Sequence, residues 1–79
     1  MDSKTAHAFS KDHRQAIEQS TLCACFYCLE SFVPSEISEW TDAGQTAICP
    51  KCGIDSVLGD AQPLDLTPEF IAEMNLAWF

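Results

Sequence analysis

The chain has 79 residues, 47% of them apolar, and twelve acids against four bases give it a net charge of −8. That composition excludes a wholly disordered chain, yet a domain this small buries only roughly 60% of its unfolded surface, so its core calls for an additional staple. Lys4, Lys11 and Arg14 lie in the first 14 residues, and from Gln15 to Phe79 ten acids face Lys51 alone, which disfavours nucleic acid because phosphate contacts need clustered Lys and Arg.

No apolar run approaches the roughly 20 residues that span a bilayer, so no membrane segment is expected. The opening Met1-Asp2-Ser3-Lys4-Thr5 lacks the apolar core of a signal peptide, and paired cysteines without an export signal point to the reducing cytoplasm.

Residues 3–20 are predicted to form one amphipathic helix with Phe9, His13, Ala16 and Ile17 on its apolar face and Ser3 or Thr5 as cap. Residues 21–33 carry the β-prone bulk of Leu22, Phe26, Tyr27, Phe32 and Val33. Pro34-Ser35-Glu36 suggests a helical turn, with Ile37 and Trp40 sharing one face. Asp42-Ala43-Gly44 reads as a turn. Thr46-Ala47-Ile48 and Ile54 to Leu58 read as the two arms of a hairpin. After a connector from Gly59, Thr67-Pro68-Glu69 has the signature of a helix start, and Phe70, Ile71, Met74, Ala77 and Trp78 recur on one face of the helix that follows.

The cysteines carry the chemistry. Cys25-x2-Cys28, a gap of 20 residues, then Cys49-Pro50-Lys51-Cys52-Gly53 is the spacing of a tetrahedral four-thiolate site for one structural Zn²⁺. Gly53 suits a positive-φ position in the knuckle, whereas Leu29 occupies the corresponding place after Cys28, which predicts a less ideal first knuckle. Cys23 could replace Cys25 as a ligand, at x4 spacing to Cys28, or be a core or redox-sensitive thiol. It is expected to be a bystander, because the x2 spacing of Cys25 matches the second pair. His7 and His13, both on the predicted first helix, are expected to pack rather than ligate.

Four thiolates leave no open position for water, so hydrolytic chemistry is not expected. Asp55-Ser56 reads as part of a strand with one exposed polar side rather than as an acid–hydroxyl pair. At the far end, Trp78 is expected to dock on the ribbon while Phe79 trails.

The fold expected is a small metal-bound α+β domain over residues 1–79: a helical arm at 1–20, a zinc-ribbon-like β-hairpin with knuckles at 21–60, and a C-terminal helix at 67–79. The Cys49-Pro50-x-Cys52-Gly53 knuckle resembles that of rubredoxins, which implies Fe(Cys)₄ as the alternative metal and electron transfer as the alternative role. The run Cys23-Ala24-Cys25-Phe26-Tyr27-Cys28, with Pro34-Ser35-Glu36-Ile37-x-x-Trp40 and Thr46-Ala47-x-Cys49 through Val57, resembles a family of short uncharacterised bacterial zinc-ribbon-like proteins labelled only "cytoplasmic protein". That likeness implies a cytoplasmic zinc-ribbon-like protein and no particular activity. The functional expectation is a non-enzymatic zinc-stabilised module that binds a protein partner. A nucleic-acid-associated ribbon using the basic N-terminal segment is a weaker alternative.

Overall fold

In the run Cys23-Ala24-Cys25-Phe26 successive side chains point to opposite faces of an extended chain, and here both faces are apolar. A strand of that kind must be covered on two sides. In the computed structural model, which describes residues 3–79, it is the centre of a three-stranded antiparallel sheet. Strand β1 (Cys23–Cys25) lies between β2 (Ser31–Phe32) and β5 (Val57–Gly59), with Cys23 opposite Phe32 on one side and Ala24 opposite Leu58 on the other. Cys23, Cys25, Phe32 and Val57 join one apolar cluster with Ile17, Ile37, Ala47 and Cys49. Ala24, Phe26 and Leu58 join a second with Ala6, Ile71 and Met74. The sheet therefore separates a cysteine-rich layer from a helical layer.

The remaining strands, β3 (Trp40–Thr41) and β4 (Thr46–Ala47), form their own hairpin around a turn in which Asp42, Ala43 and Gly44 all have positive φ. The hairpin anticipated between residues 46–48 and 54–58 does not form. The Cys49 N–H closes on the Ile54 carbonyl at 2.9 Å, so the residues between are consumed by the knuckle. Ile54 to Ser56 are not strand, and β5 crosses over to pair with β1. Val57 and Leu58 are both fully buried, and only a position between the two clusters covers both.

The N-terminal segment is not one helix. It divides into α1 (Ser3–His7), a 3₁₀ turn at Ala8–Ser10, and α2 (Arg14–Gln19). Ser3 and Thr5 lie inside α1 rather than capping a helix over residues 3–20. The break comes from competition for backbone donors. Asp12 takes φ 51° and donates its N–H to Thr46 Oγ1 at 2.9 Å. The N–H groups of His13 and Arg14 both donate to the Gln45 carbonyl, at 2.8 and 3.0 Å. Three donors that would continue the helix are thus spent on the β3–β4 hairpin.

A second 3₁₀ turn, Pro34–Glu36, is tied back by the Val33 N–H to Glu36 Oε2, while Glu36 Oε1 accepts from Lys51 Nζ at 3.1 Å. The C-terminal helix α3 (Pro68–Trp78) begins as its sequence predicts, with Thr67 Oγ1 accepting from the Phe70 N–H. Ile71 and Met74 are buried, whereas Ala77, expected on the same face, is exposed. Trp78 rests on His7 of α1, with ring centroids 3.9 Å apart. Phe79 does not trail; it packs edge-on against Tyr27 at 4.7 Å and lies 5.8 Å from Phe26. Asn75 Nδ2 reinforces that docking by donating to the carbonyls of Phe26 and Tyr27.

Candidate metal centre

Two short loops, 24 residues apart in register, are built alike. In the first, the Leu29 N–H donates to the Cys25 carbonyl at 3.0 Å, the Tyr27 N–H points at Cys25 Sγ at 3.3 Å, and the Cys25 N–H donates to the Glu30 carbonyl. In the second, Gly53 N–H to Cys49 carbonyl at 2.9 Å, Lys51 N–H to Cys49 Sγ at 3.4 Å, and Cys49 N–H to Ile54 carbonyl repeat the pattern. Gly53 has φ 80° and Leu29 φ 66°. The first knuckle therefore keeps its geometry without a glycine, and Leu29 takes the left-handed conformation at a cost of about 1–2 kcal/mol.

The sheet and the β3–β4 hairpin aim these loops at each other. The sulfurs of Cys25, Cys28, Cys49 and Cys52 all lie within 4.8 Å of one another. Across the loops, Cys25 Sγ is 3.6 Å from Cys52 Sγ and Cys28 Sγ is 3.7 Å from Cys49 Sγ. A tetrahedron of metal–sulfur bonds of about 2.3 Å has edges of about 3.8 Å, so the thiols fit such an ion. Cys25 and Cys49 are buried, while Cys28 and Cys52 are partly exposed. The cluster has one edge in the core and the opposite edge towards solvent.

The thiols are not electrostatically equivalent. Burial opposes ionisation of Cys25, but hydrogen bonds from the Ser56 hydroxyl at 3.0 Å and from the backbone N–H groups of Cys28 and Tyr27 outweigh it and hold this thiol below its ordinary value. Burial and the neighbouring Cys25 sulfur push Cys28 up, and the same two causes push Cys52 up to about 12. A metal that takes all four thiolates must displace the protons these thiols still carry.

Ser56 is the residue that sequence reasoning misjudged. It is buried, not the exposed polar side of a strand, and it touches the cluster from a position 31 residues beyond Cys25. No local pattern signals such a contact.

Cys23 is fully buried on the same face of β1 as Cys25, but about two residues' rise, or ~6.6 Å, further along the strand. It lies outside the group of four, and burial together with the nearby Asp60 carboxylate pushes its thiol up to about 12. His13 is also apart from the cluster. Its Nδ1 donates to the Phe9 carbonyl at 2.7 Å and its Nε2 accepts from the Ala47 N–H at 3.1 Å, so both ring nitrogens are engaged and neither serves Cys23. Those two bonds specify the neutral tautomer, and burial lowers the imidazole's affinity for a second proton. His7 lies against the Trp78 ring at 3.9 Å and meets Phe26 edge-on at 5.9 Å.

Neither a family model, nor a curated protein, nor a solved structure matches this chain. Its own geometry defines the class. It is a small α+β protein with antiparallel strands, helices at both ends and a zinc-ribbon-like cluster of four cysteines. Among the described residues no helix is long and apolar enough to cross a membrane.

Proposed function

We propose that the chain is a non-enzymatic protein-interaction module whose fold is held by one structural Zn²⁺ on Cys25, Cys28, Cys49 and Cys52. The observation that carries this reading is the convergence of four thiols from two matched knuckles within 4.8 Å. Four thiolates fill a tetrahedral shell, so the ion has no position for substrate or activated water. A site that needs reduced thiols suits the cytoplasm.

The interaction role is supported by the surface. Tyr27, Leu29, Leu76, Trp78 and Phe79 are all substantially exposed although large and apolar. Glu69, Ala72, Glu73 and Leu76 line the outer side of α3 at helical spacing, with no base anywhere after Lys51. An apolar and acidic face of this kind suits a partner with basic and apolar side chains, and it opposes nucleic acid.

One observation favours a second reading. The first knuckle adopts the positive-φ geometry of the second despite lacking glycine, so the two loops are as well matched for Fe(Cys)₄ as for zinc, and rubredoxin-like electron transfer follows if iron is the native ion. Elemental analysis with a visible spectrum separates the two. One zinc per chain and a colourless protein are expected; a red, reducible protein with one iron overturns the zinc reading. For the interaction role, a Leu76→Ser, Phe79→Ser variant that keeps its metal should lose the partner that the wild-type chain captures.

A further inference from the structure

We propose that Cys28 and Cys52 form a disulfide-exchange site on the open edge of the cluster, whose reaction with a small-molecule disulfide removes two metal ligands and releases the ion. This inference rests on the metal-centre reading and adds a reactivity to it. Three features of the fold support it. The second cysteine of each knuckle is partly exposed, whereas the first is buried among Phe32, Ile37 and Val57. The two exposed sulfurs lie within 4.8 Å of each other, close enough for one to attack a mixed disulfide formed on the other with a modest local shift. The buried pair is additionally restrained, because Cys25 Sγ takes hydrogen bonds from the Tyr27 N–H and the Ser56 hydroxyl, and Cys49 Sγ takes one from the Lys51 N–H. Cys23, the remaining sulfur, is sealed in β1 between β2 and β5 with no exposed surface.

The chemistry balances without a further reactant. The Cys28 thiolate attacks one sulfur of the disulfide; a new S–S bond forms, the old one breaks, and a thiolate leaves with the electron pair. The Cys52 thiolate then attacks Cys28 Sγ and displaces the second thiolate. Two ligand thiolates are oxidised to one disulfide, and the small-molecule disulfide is reduced to two thiolates. The same roles can be exchanged between the two cysteines.

The experiment uses the full chain and dithiodipyridine, a disulfide whose leaving thiolate is coloured, with a chromogenic chelator to report released metal and peptide mapping to locate the modified sulfurs. Metal analysis of the untreated protein addresses the metal-centre reading alone. The order of modification is then read on the metal-loaded chain, so a protein that holds its metal but reacts elsewhere overturns the exchange site and leaves the metal-centre reading standing. The expected result is that Cys28 and Cys52 react first, at least about tenfold faster than the other three, with two leaving thiolates per chain accompanying metal release. A Cys23→Ala variant should show the same rate and stoichiometry. Early modification at Cys23, Cys25 or Cys49, or five sulfurs reacting together only at the rate of global unfolding, overturns the proposal.

Discussion

Leu29 and Gly53 occupy the same place in two matched loops, and only one of them is at ease there. Leu29 holds φ 66° while more than half exposed, so little burial compensates its strain. Leu29→Gly should therefore raise stability by about 1 kcal/mol, and Gly53→Ala should lower it by a similar amount. An added Cβ at Gly53 meets nothing within 4 Å, which makes that cost purely conformational. Thermal midpoints at fixed metal concentration check both, and opposite signs are the expected outcome. His13 supplies a pH dependence. An unfolded imidazole titrates near ~6.5, and burial lowers the folded value below that. The unfolded state then takes up the proton first, so this contribution is fully present above ~6.5 and is lost as pH falls towards the folded value. Denaturation across that range should show a smaller loss in His13→Gln than in the wild type. An unchanged loss would place the effect in the thiols instead.

At the scale of elements, most starts and turns were legible and most pairings were not. Thr67-Pro68 announced α3 because an N-cap is a local hydrogen bond, and Asp42-Ala43-Gly44 announced its turn for a similar reason. Thr67→Ala should cost about 1 kcal/mol by urea titration. The break between α1 and α2 left no mark on the helical periodicity, because the donors of Asp12, His13 and Arg14 were diverted by acceptors more than 30 residues away. Gly59 has a similar non-local reason. A Cβ there would collide with Ser20 Oγ and approach Ile17 Cδ1 to 2.9 Å. Ser20 cannot swing aside, since its hydroxyl donates to the Ala16 carbonyl and accepts from the Ala61 N–H. The neighbouring Gln62 is fixed as well, accepting from the Gly59 N–H and donating to the Phe9 carbonyl. Gly59→Ala should destabilise the protein by about 1–3 kcal/mol, towards the upper end, with no change in metal content.

For the whole molecule, a structural metal on the four thiols would weigh at least as much as the core. A structural zinc contributes about 10–16 kcal/mol of apparent binding energy in zinc-finger peptides, against a total stability of about 5–15 kcal/mol for an ordinary domain. Chelation should thus abolish the cooperative unfolding transition followed by circular dichroism. Ser in place of Cys25, Cys28, Cys49 or Cys52 should do the same. A chelated chain that still unfolds cooperatively would show that the two apolar clusters suffice. Cys23→Ser should retain its metal but lose stability. The site is fully buried and a stranded hydroxyl there costs about 1–3 kcal/mol. By itself the sequence determined the cysteine pairs, the acidic surface, the turns and the C-terminal helix, because each is written in residues a few positions apart. Only the tertiary structure decided that β5 pairs with β1, that Ser56 reaches the sulfur cluster, and that Phe79 packs on Tyr27. Those outcomes depend on which distant segments cover both faces of the central strand, and no short-range pattern encodes that choice.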